Sequence, residues 1–233
     1  MHFGIFNLMG YRDRAKPSHQ TLAEVVEQTR LAEEVGFEMA WFAEHHFSNY
    51  CICPSPLLMA AYVAAATSRI RLATGVLVLP LYNPARLLSE IAFVDSLSNG
   101  RLVLGVGSGY QPYEFDRFGV DLKDSKGMAA EMVEMIKLAF AEDFFSYEGE
   151  HYSLPDTHIA VRPVQKNLEI WVGGESEELQ RYAAQNDFKP IVSGRAGDIE
   201  SLVKKREPRS SSRSSSTTGM GNMSRTVFAF SAR

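Results

Sequence analysis

The stretch VDSLSNGRLVLGVGSGY, residues 94–110, decides how the chain is read. Its middle, Arg101 to Val106, is apolar at nearly every position instead of alternating, which is the pattern of a strand buried on both faces, as parallel strands are. Ahead of it, Pro84 to Leu97 carries apolar residues at helical spacing behind a proline that opens the helix. Behind it, Gly105-Val-Gly-Ser-Gly109 breaks the strand into a turn. Helix, buried strand and glycine turn in that order make one unit of a parallel α/β sheet.

The same unit recurs on both sides. Toward the N-terminus, Phe3 to Leu8 predicts a strand, Thr21 to Val35 a helix stopped by Gly36, Met39 to Phe42 a second strand, Pro56 to Thr67 an alanine-rich helix, and Ile70 to Leu79 a third strand. Toward the C-terminus, a longer connection leads to a helix over Lys126 to Phe140, and an excursion from Phe144 to Val164 carries a short hairpin. Leu168 to Val172, Glu177 to Gln185, Pro190 to Val192 and Asp198 to Lys205 then supply a strand, a helix, a sixth short strand and the start of a sixth helix. Strands alternating with helices give an α/β fold with a parallel sheet, either open and doubly wound or closed into a barrel. A complete (β/α)8 barrel takes eight units and typically about 250 residues, so about six units over residues 1–206 make an incomplete one. Residues 207–233 are dominated by serine, with arginine and threonine, and only Val227 to Phe230 continues the pattern. That composition predicts a disordered tail, or one outside the ancestral fold.

Bulk properties narrow the function. A chain of 233 residues that is 45% hydrophobic holds one substantial core. A formal charge of −4 leaves no concentrated basic face, so neither nucleic acid nor an anionic membrane is an expected partner, and small molecules are. No apolar run is long enough to span a bilayer and the N-terminus lacks the order of a signal peptide, which predicts a cytoplasmic protein. The only cysteines, Cys51 and Cys53, stand one residue apart, a spacing that strains a disulfide and supplies half a zinc site, so they are expected as reduced thiols.

Polar residues and glycines follow the apolar runs: Glu44, His45 and His46, then Thr74 and Gly75, then Gly107, Ser108, Gly109 and Tyr110, then Gly173, Gly174, Glu175 and Ser176. His45 is the first candidate for catalysis, because an imidazole near neutrality donates or accepts a proton at a developing oxygen anion. On the residues alone, the two histidines are equally a structural pair or part of a metal site. Three consecutive side chains leave a strand end in alternating directions, and nothing in the spacing brings His151 or Asp156 to them, so no metal is expected. Gly75 reads equally as relief of a strand kink, and Gly107 to Gly109 as a tight turn. Ser176 ahead of two glutamates is a helix N-cap, and the backbone N–H groups there suit an anion.

Four segments, WFAEHHF at 41–47, ATGVLVLP at 73–80, the stretch at 94–110 and WVGGES at 171–176, occur in an order and spacing that resemble the bacterial-luciferase-like flavin-dependent monooxygenase family, over roughly residues 1–205. The resemblance implies a TIM-type barrel, here truncated at its C-terminal side, with the site at the carboxyl ends of the strands. It implies reduced FMN supplied by a separate flavin reductase, with dioxygen carried as a C4a-peroxyflavin to a small organic substrate; the deazaflavin F420 is the alternative cofactor within the superfamily. By the same match His45 is catalytic with His46 behind it, Thr74 and Gly75 lie under the flavin ring, Gly107, Ser108, Gly109 and Tyr110 approach the cofactor, and Gly174, Glu175 and Ser176 hold its phosphate. Gly107 and Ser108 depart from luciferase, which has a reactive cysteine and a phosphate-binding arginine there. The resemblance also implies a homodimer paired through the helices beside the second and third strands. The rival expectation is a catalytically silent, flavin-binding or merely folded fragment, because strands seven and eight normally close the barrel.

Overall fold

In the computed structural model, which describes residues 2–13, 15–174, 176–192, 201, 203–206 and 226–230, the apolar runs pair with one another as strands buried on both faces must. The elements in order are β1 (His2–Asn7), α1 (Ser18–Glu34), β2 (Met39–Phe42), α2 (Pro56–Ala64), β3 (Arg71–Thr74), β4 (Leu77–Val78), a 3-10 turn (Leu79–Leu81), α3 (Pro84–Leu97) and β5 (Leu102–Gly107). There follow α4 (Pro112–Phe118), α5 (Ser125–Ala141), β6 (Phe145–Glu148), β7 (Ser153–Thr157), β8 (Glu169–Val172), α6 (Glu177–Gln185), β9 (Lys189–Pro190) and β10 (Thr226–Phe230). The sheet runs β10-β1-β2-β3-β5-β8-β9, parallel throughout, with β4 also beside β5. It curls as the incomplete barrel that the family resemblance implied, the alternation alone having left an open sheet equally possible.

Strand alternation splits the core in two. Ala40, Phe42, Leu72, Leu102, Leu104, Val106 and Ile170 pack against Leu57, Leu87, Ile91 and Met132 of the helices. On the other face Met39, Trp41, Ala73, Val103 and Trp171 form a smaller cluster with Phe6 and Ile191 against it, and Trp41 meets Trp171 edge-to-face at 5.3 Å. Toward the amino ends of the strands, Glu169 accepts from Arg71 (2.6 Å), Lys189 (2.5 Å) and the Trp171 indole N–H (2.7 Å).

Several elements differ from their sequence reading. The single strand expected over Ile70 to Leu79 is two, β3 and β4. The Gly75–Val76 peptide between them is cis, the Gly75 N–H donates to the Phe42 carbonyl at 2.7 Å, and Pro80 then turns the chain into the 3-10 segment. α2 stops at Ala64, short of Thr67, because the Arg101 guanidinium takes the Ala64 carbonyl (2.9 Å) and the Thr67 hydroxyl (2.9 Å) instead. α4 was missed in the connection after β5, although Pro112 at its first position and Gly119 at φ 69° beyond its end are the usual helix start and stop. The sixth strand is Lys189–Pro190, not Pro190 to Val192; the Ile191 N–H donates to the Val172 carbonyl.

The hairpin inside Phe144 to Val164 is β6 and β7, and the Glu131 carboxylate of α5 pins it through the N–H groups of Glu150, His151 and Tyr152. Of the helix expected over Asp198 to Lys205, Ser201 and residues 203–206 are helical, and 198–200 and 202 lie outside the described residues. In the tail, Thr226–Phe230 runs parallel beside β1 and contains the one stretch that continued the pattern; residues 207–225 and 231–233 lie outside the described residues.

Candidate active site

Parallel pairing puts the carboxyl ends of the main sheet's strands at one rim. The register Asn7–Phe42, Phe42–Thr74 and Val106–Val172 therefore places the segments after β2, β3, β5 and β8 side by side, with His45 and the turn before α6 at the same end of the sheet.

The loop after β2 is held firmly. The His45 N–H donates to the Cys53 carbonyl (3.1 Å), Ile52 N–H to Met9 (3.1 Å) and Tyr11 N–H to Asn49 (2.9 Å). This presents the imidazole of His45, its side chain 11% exposed, with Nδ1 3.0 Å from Glu114 Oε1. The same oxygen accepts the His46 backbone N–H (2.8 Å) and the Tyr113 hydroxyl (3.3 Å). A carboxylate at Nδ1 keeps the neutral ring's proton there and leaves Nε2 as the acceptor, the orientation that a base needs.

Glu114 is the residue that the sequence reading missed. It lies in the first turn of α4, four positions past Tyr110, where the inspection of the β5 tip ended. The available signal was an acidic residue two positions after a helix-opening proline just beyond a strand tip.

Behind this pair lies a second carboxylate. Glu44 is buried and accepts from His46 Nε2 (3.0 Å), the Val78 N–H (3.0 Å) and the Tyr82 hydroxyl (2.9 Å). Burial pushes the Glu44 carboxyl above the usual carboxylate range, against those three hydrogen bonds, and burial with the Glu44 charge pushes the Tyr82 phenol up. The buried thiols of Cys51 and Cys53, free as expected, are pushed to about 11 and about 12 by burial, which makes them poor nucleophiles.

Folding thus raises the proton affinity of Glu44. Its contribution to stability is fully present below the ordinary value of 4.5 and is lost as pH climbs through the raised folded value. Urea unfolding of Glu44→Gln beside the unaltered chain, between roughly pH 4.5 and pH 8, is expected to show the difference moving in the variant's favour as pH rises. A flat difference would contradict the assignment.

The other sequence candidates divide. Thr74 is fully buried and its hydroxyl is used twice by β5, donating to the Gly105 carbonyl (2.8 Å) and accepting the Gly105 N–H (2.9 Å). Gly75, Gly107 and Gly173 surround Val76: a Cβ on Gly107 or Gly173 would come within 3.0 or 3.1 Å of its methyls. Ser108 is buried, Gly109 has φ 74°, and Tyr110 is exposed with its ring 5.9 Å from that of His45. Gly174 takes φ 94° with open space where a side chain would stand, and the Ser176 hydroxyl caps α6 by accepting the Leu179 N–H at 3.3 Å. Glu175 lies outside the described residues. A cavity of about 540 Å³ between α5, the start of β8 and the α6–β9 turn sits toward the opposite end of the sheet and includes none of these residues.

Comparison with known proteins agrees with this layout. The model of the family described as luciferase-like monooxygenase matches residues 1–193. A protein designated y4vJ from Sinorhizobium fredii is 43% identical over 203 residues, 87% of this chain and 58% of its own length. The oxygenase component of the flavin-dependent trigonelline monooxygenase of Acinetobacter baylyi is 33% identical over 189 residues, 80% of this chain and 52% of its own. Among solved structures, the monooxygenase RslO1 from Streptomyces bottropensis superposes with a TM-score of 0.82 at 28% identity, over 88% of this chain and 64% of that one. Two more remote structures share the fold, each over 88% of this chain. One is the oxygenating constituent of 3,6-diketocamphane monooxygenase of Pseudomonas putida in complex with FMN (TM-score 0.77, 22% identity, 61% of that chain). The other is an F420-dependent secondary alcohol dehydrogenase (0.71, 17%, 63% of that chain). The chain spans between half and three fifths of the length of the curated relatives named here. With nearly the whole described barrel inside the matched region, the chain belongs to the luciferase-like monooxygenase family.

Proposed function

We propose that this chain is the flavin-handling part of a monooxygenase that uses reduced FMN and dioxygen on a small organic substrate, with His45 as the acid–base group and Glu114 as the residue that positions it. The observation that carries this reading is the 3.0 Å contact between His45 Nδ1 and a buried carboxylate at the carboxyl rim of the sheet.

The rim fits a flavin. Gly75, Gly107 and Gly173 bring backbone without side chains to the strand tips around Val76, where a Cβ would crowd Val76 or the Phe6 and Trp41 rings, and a flat ring system can lie against such a surface. Ser176 opens α6, whose first backbone N–H groups suit a phosphate, and the Arg181–Glu177 ion pair within the helix offsets one of the two glutamates there. Ser108 and Gly109 stand beside this floor, and Gly174, with φ 94°, turns the chain ahead of Ser176. Reduced FMN, when bound, supplies the electrons for activating dioxygen, and a separate flavin reductase delivers it. Protein groups do the rest: His45 Nε2 gives or takes a proton at the reacting atom, Glu114 fixes the ring, and the aromatic rim keeps water away. FMN is preferred to F420 because the trigonelline relative is flavin-dependent and is the more similar in sequence.

Equilibrium dialysis with FMN, followed by oxygen uptake with a flavin reductase and a panel of candidate substrates, tests the reading. The unaltered chain is expected to bind FMN, and His45→Ala is expected to keep that affinity while losing about a hundred-fold in coupled turnover. Failure to bind FMN leaves the silent-fragment reading; F420 binding in its place would reassign the cofactor.

We also propose a homodimer through α2 and α3, on which Leu58, Tyr62, Phe93 and Leu97 are all more than half exposed. An apolar face of this kind on packed helices marks an association surface. Sedimentation equilibrium is expected to give a dimer that Tyr62→Asp converts to monomer; a monomeric unaltered chain would refute it.

A further inference from the structure

We infer that the substrate is a planar aromatic ring system, seated against Tyr50 and Tyr110 at the mouth of the His45 site; the inference rests on the flavin-dependent reading of that site and names its substrate class. Tyr50 comes from the loop after β2 and Tyr110 from the loop after β5, yet both rings meet the imidazole of His45 edge-to-face. Their centroids are 4.9 and 5.9 Å away, at interplanar angles of 69° and 83°. The His45 side chain is only 11% exposed, and the two tyrosine rings are among the groups packed beside it.

Both tyrosines are themselves open to solvent, 51% and 63% exposed. Two large rings held out in water around a nearly buried histidine are an incomplete aromatic cluster, and a further ring offset-stacked or edge-on completes it. The wall continues in the same chemistry: Phe118 packs against His46 at 4.8 Å and against Phe47 at 5.7 Å. An alkyl chain gains burial against such rings but none of their directional pairing, so the site discriminates in favour of aromatic ligands.

Pre-organisation adds to this. The Tyr50 backbone is gripped on both sides, through the Tyr11–Asn49 and Ile52–Met9 hydrogen bonds, and its own N–H donates to the Ser48 hydroxyl at 3.3 Å. Tyr110 follows Gly109, whose φ of 74° sets the turn that carries the ring back over His45. A ring surface fixed before binding loses little entropy when the ligand arrives. The flavin floor proposed at Gly75, Gly107 and Gly173 is glycine and backbone, whereas this rim is side-chain ring, so the two ligands call on different surfaces.

The test uses the full chain saturated with FMN and measures binding of naphthol and of decanal by equilibrium dialysis, for the unaltered protein and for Tyr50→Leu, Tyr110→Leu and Tyr50→Phe. Naphthol is expected to bind at least about ten-fold more tightly than decanal, and each leucine variant to weaken naphthol by about ten-fold. Tyr50→Phe should stay within about two-fold, which separates loss of the ring from loss of the fold, and the FMN affinity of Tyr50→Leu should move by less than that. Decanal binding as tightly as naphthol, or naphthol binding unchanged in both leucine variants, overturns the inference. So does FMN affinity falling in step with naphthol affinity, which would give these rings to the flavin. If FMN does not bind but naphthol does, in a tyrosine-dependent way, the aromatic seat stands and the flavin reading alone fails.

Discussion

Glu114→Ala is expected to lower coupled turnover by about a hundred-fold while FMN affinity stays within about two-fold, because the substitution frees the reacting group from its geometry without touching the glycine floor. One carboxylate oxygen of Glu114 holds the His45 ring at Nδ1, the His46 backbone N–H and the Tyr113 hydroxyl. Without it the imidazole turns freely and either ring nitrogen can carry the proton, so only part of the population presents a basic Nε2. The partly buried N–H at His46 is also left without its acceptor, which costs about 1 kcal/mol or more of stability. Glu114→Gln separates the two losses: its amide oxygen still accepts from all three donors but lacks charge, so stability recovers toward the unaltered chain while turnover recovers only in part. Steady-state kcat and KM beside urea unfolding of both variants provide the measurements. Turnover within about three-fold of the unaltered chain in Glu114→Ala would remove the dyad from the mechanism.

The largest effect on stability is expected at Gly105, in the middle of β5. A Cβ placed there stands 2.0 Å from the Thr74 carbonyl oxygen, 3.0 Å from the Trp41 ring and 3.1 Å from Ile191. The first contact is with backbone, in a neighbouring strand that the Thr74 hydroxyl clamps to β5 through two hydrogen bonds, so no rotamer change relieves it. Gly105→Ala therefore has to spread β3 from β5 or break the clamp. The expected cost is about 3 kcal/mol or more, at the upper end of overpacking, or about 10 °C in melting temperature for a chain of this size. Thermal unfolding checks it, and a shift below about 2 °C would mean that the strands separate more easily than the clamp implies.

Much of this architecture is legible from the residues. The unbroken apolar character of Leu102–Gly107 already says that the strand is buried on both faces, and the recurring helix-strand units say that it has parallel neighbours. His45 was legible because it follows a strand directly. Glu114 was not, because its contact with His45 joins positions 69 apart and depends on α4 folding back over the rim, which no local periodicity records. The break at Gly75 was hidden for a related reason. Residues 70–79 are apolar apart from Arg71, Thr74 and Gly75, and only the pairing divides them into two strands, β3 lying between β2 and β5 and β4 beside β5. Thr74, read as a residue beneath the cofactor, spends its hydroxyl on the ladder between β3 and β5, a use that a hydroxyl at a strand end does not announce.

The pair formed by Trp41 and Trp171 gives the protein a built-in reporter. These are the only two tryptophans in the chain, and both belong to the small cluster on the inner face of the sheet, 5.3 Å apart. All indole emission therefore originates from one spot beneath the rim. An unfolding curve followed by fluorescence reports the parting of β2 from β8, whereas far-ultraviolet circular dichroism follows the helices outside them; if the two traces separate, the inner face and the helical layer come apart as distinct events.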